Sequence, residues 1–292
     1  MSGGDSLAWP APAKLNLFLH IVGRREDGYH LLQTVFQFID LCDTLHVGLR
    51  GDGRIRRAGG LPGLDPEADL AVRAARLLQE YTGTRLGADL DIDKRIPAGG
   101  GLGGGSSDAA TALWALNCLW NLHLDVDALA ELGLRLGADV PVFVRGHAAW
   151  AEGVGERLSP LEPAMPWYLV VVPPVHVSTT EIFADPALTR NCQPLKIGGF
   201  LSGDHAVNVC EPVVRRRCPE VAEALEWLGA HAPARMSGTG SSIFAAFPTR
   251  EAAAAVHAYL PAKWAGFVCR GMNRSPLLAR VAVNCAGRMH SG

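Results

Sequence analysis

The stretch Pro97-Ala98-Gly99-Gly100-Gly101-Leu102-Gly103-Gly104-Gly105-Ser106-Ser107-Asp108 organises its surroundings. Glycine tolerates positive φ and lets the backbone approach a ligand closely. Upstream, Asp89-Leu90-Asp91-Ile92-Asp93 alternates like a strand. Downstream, Ala109, Leu113, Leu116 and Trp120 recur at spacings of four, three and four, which is one face of a buried helix. A linker or simple turn would run on into polar sequence, so these glycines lie at the mouth of a packed element. The first N–H groups of a helix lack internal partners and carry partial positive charge. Strand, glycine loop and helix start together form a cradle for an anion, most often phosphate. Ser106 and Ser107 stand at its entrance as helix caps, phosphate donors or metal ligands. No Gly-Lys-Ser/Thr follows, so this is not a Walker loop. Gly99, Gly101 and Gly104 satisfy G-x-G-x-x-G, but no clear strand with an acidic ribose-binding end follows them, and that match is weak.

A second glycine loop, Met236-Ser237-Gly238-Thr239-Gly240-Ser241-Ser242, feeds a strand. Alone it reads equally as a hairpin turn. Beside the first loop it suggests a second set of backbone donors for an anion.

Outward from these loops the pattern is mixed. Met1 to Pro10 reads as a loose N-terminus and Ala13 to Val22 as a strand, with Leu15, Leu17, Leu19 and Ile21 alternating with Lys14, Asn16, Phe18 and His20. Arg24 to Gly28 is a polar turn. Leu31 to Ile39 and Asp43 to Leu49 read as two further strands, and Gly51 to Pro66 as loop. Helices are expected from Leu70 to about Gly83 and from Val126 to Leu136, the second stopped by Gly137. Val140 to Val144 and Ala148 to Ala151 read as short strands, and the proline-rich Pro160 to Pro166 as a hinge. Beyond it come a strand at Tyr168 to Val172, helices at Val207 to Arg217 and Glu220 to Leu228, a strand at Ser242 to Phe247, a helix from Thr249 to Tyr259 and a last strand near Phe267 to Arg270. Strands and helices do not alternate strictly, so the class expected is α+β.

Composition narrows the function. The 292 residues fit one large or two ordinary domains. A net charge of −2 gives no basic field for nucleic acid, and Arg215-Arg216-Arg217 reads as a solvated helix face or loop. The cysteines number seven, without a C-x-x-C pair, in a chain that is not small. That favours reduced thiols in a cytoplasmic protein over a disulfide frame or zinc site. No leader is evident, and no apolar run reaches membrane-spanning length.

The order of motifs carries a resemblance. Pro12-Ala13-Lys14-Leu15-Asn16-Leu17 is similar to the first motif of the GHMP kinases, Pro97 to Ser107 to their ATP-binding loop, and Ser237 to Ser241 to their third motif. Arg24-x-Glu26-Asp27-Gly28-Tyr29-His30, Leu136 to Phe143 and Gly153-Val154-Gly155-Glu156 resemble the branch that acts on 4-diphosphocytidyl-2-C-methyl-D-erythritol, in the non-mevalonate route to isoprenoid precursors. The resemblance runs from about Pro12 to the last strand. It implies a two-domain α+β architecture, with an ATP domain like domain 2 of ribosomal protein S5 at residues 1–162. A ferredoxin-like α/β sandwich for substrate would follow at 163–292.

The resemblance also implies roles. Lys14 and Asp139 fall on the catalytic pair. Pro97, Ala98, Gly99, Gly100, Gly101, Leu102, Gly103, Gly104, Gly105, Ser106 and Ser107 fall on the ATP site. Asn16, Tyr29, His30, Thr179, Phe183, Gly238, Thr239 and Gly240 fall on the substrate site, the cytosine meeting Tyr29, His30 and the Phe183 ring. ATP would arrive as its magnesium complex, with Ser107 the hydroxyl nearest the ion. The partner is a small molecule carrying cytidine diphosphate, with no nucleic acid or membrane, and the protein is expected as a monomer or homodimer. Where these relatives often carry Asn-Leu, this chain has Asp69-Leu70, which removes an amide donor near the adenine pocket. On chemistry alone, a carboxylate can take the acceptor hydroxyl's proton. A neighbouring cation keeps that carboxylate ionised and offsets phosphoryl charge. Yet a lone strand Lys commonly faces solvent, and an Asp between helix and strand is commonly a cap. The alternatives are a related kinase for homoserine, mevalonate or a sugar, or a nucleotide-binding sensor without chemistry.

Overall fold

A computed structural model describes residues 7–58, 65–203 and 207–286. Of the expected loose N-terminus, Met1 to Ser6 lies outside the described residues, as do residues 59–64 of the expected loop. Leu7 to Pro10, by contrast, is already strand. Strand β1 runs Leu7–Arg24 and pairs antiparallel with β2, His30–Arg50, with Pro10 opposite Thr44 and Pro12 opposite Cys42. Proline donates no ladder hydrogen bond but is tolerated on a strand that pairs along one side, and among the described strands β1 pairs only with β2. Trp9 behind the prolines is fully buried. The two strands expected at Leu31–Ile39 and Asp43–Leu49 are one, because β2 continues through the polar Asp40 and turns from one set of neighbours to another. Its first part pairs with β5 (Ala149–Glu152), its middle with β10 (Ala265–Met272), and its last part with β4 (Gly87–Asp93).

The main path of the sheet has the order β3-β4-β2-β10-β7-β9-β8, where β3 is Ile55–Arg57, β7 is Trp167–Val172, β8 is Ala234–Met236 and β9 is Ile243–Phe247; β6, Arg157–Pro160, pairs with β5. Helices α1 (Leu70–Thr82), α2 (Gly104–Leu119), α3 (Val126–Leu136) and α4 (Val140–Arg145) join β1, β2 and β4 in one core containing Leu45, Leu78, Leu90, Leu113 and Phe143. A second core joins β7, β8 and β9 to α5 (Thr179–Ala184), α7 (Glu211–Arg217), α8 (Pro219–Gly229) and α9 (Arg250–His257), with the short α6 (Ile197–Ser202) between α5 and α7 in the chain. A third, with Leu15, Phe18, Ile39, Leu102, Tyr168, Val170 and Phe244, takes side chains from both groups of elements and fuses them. Each fully buried large apolar side chain contributes about 1.5–3 kcal/mol.

Several expectations change. Val140 to Val144 is helix α4, not strand. All five residues are buried, so no periodicity distinguishes the two, and Pro141 suits a helix's first turn. The helix expected from Val207 starts only at Glu211, because Asn208 is bound elsewhere: its amide donates to Met236 O and Gly238 O and its oxygen accepts from Cys210 N. The last strand expected near Phe267 to Arg270 is β10, but it is not the last described element. Helix α10, Pro276–Ala286, follows β10 and packs on β1 and α2. Cys285 of α10 is joined to Cys118 of α2 with Cα atoms 5.1 Å apart, so two of the seven thiols are paired. Their spacing of 167 residues hid them from sequence arithmetic. The segment from Pro160 to Pro166 is fastened on several sides: Gln37 Nε2 donates to Ala164 O, Asn273 Nδ2 to Pro163 O and Gly271 N to Pro166 O. The fold is α+β, as expected.

Candidate active site

The glycine loop follows β4 and enters α2 through Gly103, whose φ is +75°. Gly103 is the N-cap, and no side chain caps this helix. Ser106 and Ser107 are therefore not caps but lie inside the first turn, leaving the leading N–H groups free for a ligand. Gly99 and Gly101 also have positive φ, +70° and +74°. A Cβ on Gly101 would run into Ser237 O, and one on Gly103 would lie 2.7 Å from Phe143 Cζ. Only glycine fits at these two places.

The second glycine loop sits directly on the first. Ser237 Oγ donates to Gly101 O at 3.1 Å, Ser242 N donates to Gly100 O at 3.0 Å, and Asn16 N donates to Ser237 Oγ at 3.1 Å. Lys14, on β1, is only 3% exposed. The alternation read in Ala13 to Val22 does not turn Lys14 to solvent, because β1 is covered on both faces. Lys14 Nζ donates to Asn16 Oδ1 at 2.5 Å and to Gly101 O at 3.1 Å, and it pairs with Asp139 Oδ2 at 3.1 Å. Asp139 precedes α4 and its side chain caps nothing. Its side chain is about one-third exposed, so one carboxylate edge faces the cleft while the other meets the amine.

Lys14, Asn16, Asp139 and the loop from Pro97 to Ser106 line a cleft of about 560 Å³ that also takes in Asp69, Lys94, Asp108, Thr179, Phe183, Gly238 and Thr239, whereas Ser107 and His30 lie outside its lining. Thr179 and Thr239 touch through their hydroxyls at 2.8 Å. At that end the His30 ring lies nearly parallel to Phe183, with centroids 5.1 Å apart. Desolvation, with Arg190 and Arg24 nearby, lowers the pKa of His30 below the usual imidazole value. Tyr29 stands apart: it is 64% exposed in the turn, with Arg25 over its ring, and does not line the cleft. Gly240 is likewise outside the lining, behind Thr239. His20 is a buried core residue set edge-on to Phe18. Asp69 caps α1 by accepting from Ala71 N, and it pairs with Arg57 at 3.1 Å.

Sequence reasoning missed three features. Lys94 donates to Asp108 Oδ2 at 2.6 Å and to Asp43 beneath the loop. Burial works against the Lys94 ammonium, but the Asp108 and Asp43 carboxylates raise its pKa. Arg190 contacts the His30 ring. The Arg215 to Arg217 run lies on α7 with Arg216 and Arg217 exposed, the solvated helix face expected, but both also hold Asp185 just after α5, at 2.9 and 3.2 Å. None of these carries a local spacing signal; each depends on chain segments far apart in sequence.

Residues 69–147 match the family of GHMP kinases N terminal domains and residues 193–266 that of GHMP kinases C terminal domains. A 4-diphosphocytidyl-2-C-methyl-D-erythritol kinase of Nitrosococcus oceani is 60% identical over 93% of this chain and 97% of its own length. The enzyme of that name from Halorhodospira halophila is 58% identical over 92% and 94%. The chain belongs to this GHMP kinase family. A crystal structure of a 4-(cytidine 5'-diphospho)-2C-methyl-D-erythritol kinase superposes with a TM-score of 0.77 at 35% identity, covering 91% of this chain and 99% of that one. The protein is therefore an ATP-dependent small-molecule kinase, and its GHMP kinase segments contain both the glycine loop and Asp139. No described helix is long and apolar enough to cross a membrane.

Proposed function

We propose that this GHMP kinase transfers the γ-phosphoryl group of ATP to the 2-hydroxyl of 4-diphosphocytidyl-2-C-methyl-D-erythritol. The observation that carries the reading is the Lys14–Asp139 pair at the mouth of the glycine nest. Asp139 takes the proton of the attacking hydroxyl, a role that typically contributes about 10²–10⁴-fold. Lys14 keeps that carboxylate ionised and stands where charge gathers on the transferring group. The Pro97–Ser107 amides hold the nucleotide's phosphates, and transfer through a loose transition state needs little beyond such positioning. Asn16 orients Lys14 and the acceptor end, while Thr179, Phe183, His30 and the Gly238–Thr239 turn hold the cytidine diphosphate.

Magnesium fits the cleft modestly. The buried Ser107 Oγ and Asp108 Oδ1 have no hydrogen-bond partner among the described residues, and hard oxygens suit this ion. Among those residues no group of three or more His, Cys, Asp or Glu side chains could hold a metal, so the nucleotide phosphates would supply most ligands. When bound, the ion neutralises charge on the phosphates. Residues 1–162 would form the ATP-binding, catalytic part and 163–292 the substrate part, in a cytoplasmic monomer or homodimer.

The test is turnover. Purified protein with ATP, magnesium and the cytidine-linked alcohol should release ADP and add one phosphate to the alcohol. Folded protein that releases none, or that prefers homoserine or mevalonate, overturns the reading.

A further inference from the structure

Arg190 lies beyond α5, and four of the five N–H groups of its guanidinium are engaged. Nη2 donates to Phe183 O and Asp185 O, each at 2.8 Å, and Nη1 to Leu188 O at 3.0 Å. Nε donates to His30 Nε2 at 3.0 Å. Three bonds go to carbonyls at and beyond the C-terminal end of α5, and the fourth crosses to the start of β2. One side chain thus ties the two rings of the stack to each other. Asp185 steadies the same corner, accepting from Ala187 N and from Arg216 and Arg217.

The bond to His30 has a chemical consequence. A guanidinium has only donors and does not lose its proton in proteins. The Nε–H of Arg190 can bond His30 Nε2 only if that nitrogen offers a lone pair. His30 must then be neutral, with its proton on Nδ1.

We propose that Arg190 is the positioning residue of the nucleobase end: it holds His30 in the neutral Nδ1–H tautomer, parallel to Phe183, and so readies both rings for the base. The inference rests on the reading of His30 and Phe183 as cytidine contacts. The charged groups acting on His30 are Arg190 and Arg24, and both oppose its protonation together with desolvation. Losing Arg190 therefore makes His30 easier to protonate.

The experiment uses the full chain with Arg190→Met, Arg190→Lys, His30→Ala and Phe183→Ala, assayed between about pH 5.5 and 8. For Arg190→Met, KM for the cytidine substrate should rise about tenfold or more, the usual weight of a hydrogen bond to a charged group. ATP KM should stay within about twofold and kcat within about threefold, since the nucleotide end is untouched. The acid limb of kcat/KM should move up toward the ordinary imidazole value near about 6.5. Arg190→Lys keeps the cation without the fork, so it should restore the acid limb but only part of the KM. Nitrogen-15 spectra of the wild-type imidazoles should give His30 the Nδ1–H signature at neutral pH. An Nε2–H or charged His30 in the wild type overturns the proposal even if Arg190→Met does not fold. So does an Arg190→Met enzyme in which both KM values rise and kcat falls together. If His30→Ala and Phe183→Ala raise the substrate KM and Arg190→Met does not, the Arg190 assignment falls alone. If none of the three raises it, the cytidine reading falls and takes this inference with it.

Discussion

The two ends of the cleft are built from different materials. The end proposed for phosphate is main chain: amides of the glycine loop, a helix with no side-chain cap, and a second glycine loop laid across the first. The end proposed for cytidine is side chain: the His30–Phe183 stack, the Thr179–Thr239 hydroxyl pair and the guanidinium of Arg190. Backbone donors suit a ligand common to many enzymes, because any sequence that makes the turn supplies them. Side-chain recognition is what distinguishes one acceptor from another. The Lys14–Asp139 pair lies where the two meet.

That division can be broken at its seam first. Asp139→Asn and Lys14→Ala should each lower kcat by about 10²–10⁴-fold while ATP titrations still show binding; near wild-type turnover in both would remove the proposed roles. Next comes the main-chain end. Gly101→Ala places a methyl against Ser237 O at a φ of +74°, so ATP KM should rise by about tenfold or more and the melting temperature should drop. Gly105→Ala is the contrast. Its added methyl meets only Leu70 Cδ1, at 3.5 Å, so the melting temperature should hold, and any loss of ATP affinity reports on the ligand's need for space. At the side-chain end, Phe183→Ala should weaken the cytidine substrate by about 1–3 kcal/mol, the usual worth of a base stacked on an aromatic ring, with ATP KM unmoved in the same assay. The smallest effect lies at the rim. Arg216 is half exposed and shares Asp185 with Arg217, so Arg216→Ala should cost less than about 1 kcal/mol in urea unfolding.

The same contrast governs what the sequence discloses. The phosphate end is legible because its glycines are contiguous and the helix behind them is periodic. Helix α1 is legible from its apolar spacing and Gly83, whose φ of +68° ends it. Helix α3 is legible from Asp125, which caps it through Ala128 N, and from Gly137. The cytidine end is not legible from local rules: His30, Phe183 and Arg190 are scattered, and the resemblance alone pointed to the first two. The buried Lys94–Asp43–Asp108 group is silent for the same reason. Helix α4 misleads because complete burial erases its period. Trp9-Pro10 misleads because prolines in a strand look like loop until one knows that a single neighbour serves β1. Helix α10 carries a start signal in Ser275 followed by Pro276, and Ser275 Oγ accepts from Leu277 N there.

The paired strands β1 and β2 touch both ends. Lys14, opposite Phe38, stands near the middle of the ribbon, and Arg24 opposite His30 closes one end of it. On the proposed reading, the gap between the site of phosphorylation and the place for the base is set by a hydrogen-bonded beam instead of by a loop. Such a beam acts as a gauge of length. An acceptor whose linker is one phosphate shorter could seat its base or offer its alcohol, but not both at once, so the enzyme would sort its substrates by span as well as by chemistry.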